Sequence, residues 1–425
     1  MKRLITNITS LLLLAIVFSS CENRKFQTFT ANVPIYLTYD DLRDAIKVKE
    51  PVPMEEPGKI YFKDDYIFIN EYMKGIHIID ISEPATPTAI SFIDIPGNVD
   101  MAIKNNILYV DSYIDIVLID ISDPLAPVEI NRLDSILNYT LPPYDIEYPL
   151  AQIDNNKGVV TDWVIEDYTQ EIYNNTQPWG VFYEYGLVDA MSSTRSVSSG
   201  GGDSYGVGGS MARFATFDQY LYLLEQACIL KVIDISDINA PDLIYDNYVG
   251  WGLETMFIYE DYMYLGATNG LHILDLEFPD NPVKKSEYSH VTSCDPVVVR
   301  GNTAYVTLRS GNMCGGTADL LEVINVSDKS NPSRIASYTM NEPYGLGISG
   351  TTLFICQGDN GLVVYDVEDK LDINNNKLAE FPNINALDVI PLDDLLFTIG
   401  DEGFYIYDYS NLENITLLSK IEIGL

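Results

Sequence analysis

Four carboxylates stand near the starts of short apolar runs: Asp100, Glu254, Asp295 and Asp388. If those runs are strands lining a central axis, the acids ring one mouth of it. A cation such as Ca2+, or a hydroxyl-rich ligand, would find oxygen partners there. Read more simply, they are polar strand ends facing water. The three histidines add little. His77 and His272 fall at one repeat position in different units, and only His290 lies near a thiol, Cys294. Zinc needs clustered Cys and His ligands, which the chain lacks, so no metal-ligand set is assigned. No GxSxG, P-loop, HExxH or EF-hand loop occurs, and no catalytic residue is assigned.

The elements that position these acids are written as a repeat. Residues 76–87 read IHIIDISEPATP: β-formers, an Asp, a Ser, and a Pro seven residues after the Asp. Aligned on that Asp, the motif recurs at Asp80, Asp120, Asp234, Asp275, Asn325, Asp366 and Asp408. The interval is about 40 residues, except the 50 from Asp275 to Asn325 and the 114 from Asp120 to Asp234, which holds an insertion at residues 138–211. Within each unit, runs rich in β-branched and aromatic residues alternate with Asn, Asp, Gly and Pro, the pattern of strands joined by tight turns. The third run is apolar at both residues before the Asp, as in Ile78-Ile79 and Leu118-Ile119. A half-exposed strand would alternate, so these strands are covered on both faces. Four strands per period, stacked and doubly covered, predict an all-β fold: a seven-bladed propeller of four-stranded antiparallel blades over residues 58–425.

Gly75-Ile-His-Ile-Ile-Asp-Ile-Ser82 and Ile116-Val-Leu-Ile-Asp-Ile-Ser122 resemble the LVIVD repeats of bacterial propeller lipoproteins, and the likeness extends over nearly all of residues 58–423. Most such proteins have no assigned activity. The resemblance therefore implies the propeller fold and an envelope address, and no chemistry.

The N-terminus fits that address. Residues 1–20 carry Lys2 and Arg3, an apolar core at 11–18, and Ser19-Ser20, the order of an export signal. Val17-Phe18-Ser19-Ser20-Cys21 resembles a lipobox, departing from the usual Leu at the third position before Cys. By that resemblance Cys21 is lipidated and the protein is held, outside the cytoplasm, on the outer membrane. Each buried lipid methylene contributes about 0.8 kcal/mol, so several chains on one Cys anchor firmly. Which leaflet is used stays open. Residues 21–57 read as a tether with a short helix running from a Thr38 cap to Ile46, and residues 33–37 as a strand that would edge the main body.

The insertion is aromatic and Pro-rich at first, has a strand-like stretch at 158–166 with a pairing partner expected near 179–185, and ends in a mobile Ser/Gly-rich segment at 192–210. Trp163 and Trp179 make it a candidate recognition arm; the plainer reading is a hairpin covering a blade edge. Cys294 and Cys314 are a disulfide candidate: export implies an oxidising compartment, and closing about 20 residues contributes roughly 3 kcal/mol. Cys228 and Cys356 read as small buried hydrophobes.

The charge excludes one class of partner. With 62 Asp and Glu against 25 Lys and Arg the chain carries −37, which repels phosphate backbones and rules out nucleic-acid binding. The leading functional reading is a lipid-anchored module binding an envelope protein or glycan, without catalysis and without a cofactor unless Ca2+ occupies the axial mouth. The alternative is a hydrolase or lyase of an extracellular polysaccharide that uses the axial carboxylates. A third is a purely structural assembly subunit, marked by a broad apolar outer surface.

Overall fold

In each of the seven repeat units the third residue of the second strand is a buried aromatic: Phe68, Tyr109, Tyr222, Tyr264, Tyr305, Phe354 and Phe397, none more than 2% exposed. Each pairs across the sheet with an aliphatic of the third strand, from Phe68 on Ile78 to Phe397 on Ile406. Burying one such ring contributes about 2–3 kcal/mol. This repeated pairing is the seed of each blade, and it accounts for part of the unusual Tyr content.

The computed structural model describes residues 25–138, 141–172, 207–290, 296–310 and 318–424. The chain divides into two compact units: Met1–Tyr36 with Pro143–Glu184, and Leu37–Pro142 with Tyr185–Leu425. The second unit is a seven-bladed propeller whose blades are antiparallel sheets of consecutive strands, as the repeats predict. Blade one is Pro57–Lys63, Tyr66–Glu71, Gly75–Asp80 and Thr88–Asp94 from axis to rim, and blade seven is Asp388–Leu392, Leu395–Gly400, Gly403–Asp408 and Thr416–Glu422. Among the described residues no strand is shared between the first and last blades. The ring closes by packing instead: Phe62 stacks on Phe397 at 5.6 Å, and Ile60, Ile67 and Ile69 meet Ile390 and Phe404.

The motif Asp turns the chain from third to fourth strand in every blade. Its side-chain oxygen accepts the N–H two residues on, at 2.8 Å from Asp80 to Ser82 and 3.0 Å from Asn325 to Ser327, which is why Asn serves there. Those turns also accept bonds from the neighbouring blade. Ser91 Oγ donates to Pro124 O at 2.8 Å, Ser286 Oγ to Lys329 O at 2.6 Å, and Ser419 Oγ to Pro84 O at 2.6 Å.

The stretch read as a tether packs on the ring from Leu37 onward. Thr38 caps a helix at Tyr39–Arg43, three residues shorter than expected. Leu42 is fully buried, Lys47–Lys49 adds an outermost strand to blade one, and Met54 joins the core. Arg43 secures the helix through Asp115, at 3.2 Å, a carboxylate that Arg132 also contacts at 3.1 Å. Apolar anchors every few residues leave no free linker there.

The smaller unit is a ribbon of two long strands, Lys25–Leu37 and Val159–Ile172. Thr28 bonds Thr169 at 2.7 Å and Thr30 donates to Asp167 at 3.1 Å, so the two run antiparallel. The insertion strand thus pairs with the N-terminal strand; the expected partner near 179–185 lies outside the described residues. Trp163 sits on this ribbon, edge-on to Tyr144 at 6.0 Å.

Candidate functional site: a cleft beside a plugged axis

Antiparallel blades place four kinds of chain end on one face of the ring: starts of first strands, ends of second strands, starts of third strands and ends of fourth strands. Asp100, Glu254 and Asp388 all reach this face, as their positions predict; Asp295 lies outside the described residues, as do Cys21, Cys294, Cys314 and Trp179. Where an open axis was expected, the chain itself crosses it.

Residues 207–213, the return of the insertion, run through the centre. Val207–Gly208 pairs with Phe62 and Tyr61 on the inner side of blade one. Gly209 N donates to Ile60 O at 3.1 Å, and Ser210 donates to Asp388 Oδ1 of blade seven from N, at 3.0 Å, and from Oγ, at 2.9 Å. Leu346 N of blade six bonds Ser210 Oγ at 2.7 Å, Met256 N of blade four bonds Ala212 O at 3.1 Å, and Arg213 N donates to Asp100 Oδ2 of blade two at 2.6 Å. The segment then becomes the first strand of blade three, Phe214–Phe217. The expectation that residues up to 210 are mobile fails for 207–210, because glycine lets the backbone come this close. A Cβ on Gly209 would lie 1.8 Å from Asp388 Oδ2.

Asp100 and Asp388 are therefore met by the chain's own donors. Asp388 is fully buried against Ser210. Asp100 is 1% exposed and pairs with the Lys59 ammonium at 2.5 Å. Burial drives the Lys59 pKa down, Asp100 pulls it back up, and the charge of Arg213 pushes it down again. Among the described residues no three His, Cys, Asp or Glu side chains come together as metal ligands.

Beside this plug, between blades two and three, the same face opens into a cleft of about 70 Å3. Tyr72, Asp100, Asp111, Asn138, Arg213 and Glu225 supply its polar groups. Asp111 Oδ1 accepts from Asn98 Nδ2 and Val99 N, both at 2.8 Å, and from Asp100 N at 3.0 Å. Glu225 accepts from Asn138 Nδ2 at 2.8 Å and faces Lys231 at 3.4 Å. Tyr72 is pushed up to about 12 by burial, with Arg213 opposing. Arg213 is the exception. Its Nε is buried without a hydrogen-bond partner, and among the described residues its guanidinium forms no ion pair. An unmade hydrogen bond of this kind costs about 1–3 kcal/mol. A second cavity, on the opposite face, holds Lys63, but that ammonium is already paired with Asp64.

Burial lifts the Asp111 carboxyl to about 6, the N–H groups of Asp100 and Val99 holding it from rising further. A raised folded pKa means the folded state holds the proton more tightly than the unfolded chain. Its stabilising contribution is full below about pH 4 and is lost as pH rises past about 6. Asp111→Asn keeps an acceptor for the three N–H groups and removes the charge. Its melting temperature should match the parent at pH 4 and exceed it at pH 8, by about 1 kcal/mol of stability once partial exposure is discounted. Equal pH slopes for the two proteins would refute this.

Sequence reasoning passed over Asp111, Glu225, Tyr72 and Arg213. The two acids were findable, since the ends of second strands share a face with the starts of first strands. Arg213 carried no signal: it is one Arg after a Ser/Gly-rich tract, and only the plug aims it into the cleft.

Comparison with known proteins agrees with this architecture. A model described as the LVIVD repeat matches residues 58–94, 97–135 and 255–290, which are blades one, two and four. The chain carries LVIVD repeats. No curated protein matches it in sequence. Among solved structures it is similar to Sqt1 of Saccharomyces cerevisiae, at 8% identity over 93% of this chain and 90% of that one, with a TM-score of 0.52. A protein from Lactobacillus plantarum is similar at 11% identity over 86% and 96%, TM-score 0.52. The periplasmic gluconolactonase PpgL of Pseudomonas aeruginosa is similar at 8% identity, also over 86% and 96%, TM-score 0.51. At these identities the likeness is one of fold alone.

Proposed function

We propose that the protein is a lipid-anchored, extracytoplasmic binding module of the bacterial outer membrane, holding an envelope protein or glycan at the cleft-bearing face of its ring. The observation that carries this reading is the use made of the axial acids. Asp100 is taken by Lys59 and the Arg213 backbone, and Asp388 by Ser210. A polysaccharide hydrolase of the usual kind needs two carboxyl groups free to face its substrate, one to trade a proton and the other to act as base or nucleophile. These two instead tie a strand across the axis. The cleft's carboxylates Asp111 and Glu225 likewise accept from the chain's own donors, which leaves a guanidinium, a phenol and an amide as its groups for recognition.

Two measurements test the reading. Cys21→Ala should move the protein from the membrane pellet to the soluble fraction, and retention in the pellet would remove the anchor. Purified protein incubated with envelope polysaccharide and protein fractions should retain one of them without releasing reducing ends. Release of reducing ends would favour the enzyme, and retention of neither fraction would end the binding reading.

A further inference from the structure

We infer that the cleft between blades two and three binds an acidic saccharide, with Arg213 gripping its carboxylate and Trp251 supporting its ring. The inference rests on the binding role proposed above and names the ligand class and the residues.

The first observation is the unpaired cation. Acids outnumber bases 62 to 25 in this chain, so a guanidinium has carboxylates available almost anywhere. Neighbouring cations do find them: Lys59 holds Asp100, Lys231 holds Glu225 and Asp246, and Arg132 holds Asp115 and Glu129. Arg213 lines the cleft with a buried Nε that has no partner. Its backbone is clamped on Asp100 and Leu224, at 2.6 and 2.9 Å, so the side chain starts from a rigid base. A planar fork of donors matches a carboxylate with two parallel hydrogen bonds, where a neutral hydroxyl takes one.

The second observation is the platform. Trp251 is 66% exposed and Tyr248 68% exposed, a large apolar display for two neighbouring aromatics. They stand where blade three passes to blade four, on the face that carries the cleft. Their loop is tied to the cleft's lip: Leu253 N donates to Ala227 O at 2.7 Å and Val249 N to Cys228 O at 3.1 Å, next to the lining residue Gln226. The loop is also held in shape. Gly252 has φ +67°, and a Cβ there would fall 1.9 Å from Thr268 Oγ1. A fixed aromatic beside a polar cleft suits a sugar, whose ring has an apolar face and a hydroxyl edge.

The third observation is size and the remaining polar groups. About 70 Å3 admits a carboxylate and the atoms next to it, so the body of the sugar lies outside, towards the aromatic loop. Of the other polar groups in the lining, Asp111 is held by three N–H groups and Glu225 by Asn138 and Lys231, so the Tyr72 hydroxyl and the Gln226 amide are the ones that would meet saccharide hydroxyls.

Calorimetric titration of the full-length protein with trigalacturonate, sialyllactose, galactotriose and a peptide ending in a free carboxylate tests this. One of the two acidic saccharides should bind, and galactotriose should bind at least about tenfold more weakly. Arg213→Gln should weaken the acidic saccharide about tenfold or more, Arg213→Lys should recover part of that, and Trp251→Ala should weaken it several-fold, with melting temperatures unchanged. Binding of neither acidic saccharide, equal binding of galactotriose, preference for the peptide, or full affinity in Arg213→Gln would each overturn the inference. If envelope polysaccharide is still retained by Arg213→Gln at parental strength, the module binds glycans elsewhere and only this site fails.

Discussion

Asp388→Ala is expected to lower the stability of the propeller by about 3 kcal/mol in equilibrium urea denaturation. Asp388 Oδ1 receives both the N–H and the hydroxyl of Ser210 in a fully buried setting. Removing the carboxylate strands those donors and opens a cavity, and each effect alone costs about 1–3 kcal/mol. Ser210→Ala should cost somewhat less, about 2 kcal/mol, because the Ser210 backbone keeps its acceptor while Leu346 N loses one. Gly209→Ala should be as damaging as Asp388→Ala, since its Cβ would lie 1.8 Å from Asp388 Oδ2. In the double variant Gly209→Ala/Asp388→Ala the clash is gone, so the two losses should not add. Additive losses would mean that Gly209 and Asp388 do not share a site.

Asp100→Ala is expected to be worse still, at about 3–5 kcal/mol, because it leaves the Lys59 ammonium buried without its counter-charge. The Lys59 side chain is only 9% exposed, so water restores little of the lost solvation. The paired substitution Lys59→Met/Asp100→Asn should recover most of the loss. The methionine fills the volume without a charge, and the Asn oxygen still accepts the Arg213 N–H. Recovery to within about 2 kcal/mol of the parent is the expected result, in keeping with the small net worth of buried ion pairs against apolar replacements. A double variant no better than Asp100→Ala alone would show that the pair does not account for the effect.

Both predictions concern the segment that sequence reading treated as a floppy return. Its composition, Gly208-Gly209-Ser210 after a Ser/Gly-rich run, is what a linker looks like. In the fold the same residues are the ones small enough to pass through the centre of a ring. The axial acids were located on the correct face from their place at strand starts, yet the donors that meet them were not visible. Lys59 stands 41 residues from Asp100, and Ser210 stands 178 residues from Asp388. The first separation is about one repeat, yet the repeat does not say that a Lys at the start of one blade meets an Asp at the start of the next, and the second spans the ring.

The sequence by itself determined the blades. Each is built from interactions within about 40 residues: the Asp or Asn oxygen that turns the chain two residues on, the aromatic in the second strand, and its aliphatic partner across the pair. Such local interactions repeat in the chain because they repeat in space, so seven motifs read out seven blades. Only the tertiary structure decided what fills the axis, which acids are occupied, and that the Arg213 Nε is buried without a partner. Those outcomes depend on where the ring brings distant residues together, at the start of blade two, the start of blade seven and the end of the insertion. Arg213 is selected as the candidate anchor by a buried Nε without a hydrogen-bond partner, and that is a property of the packed fold.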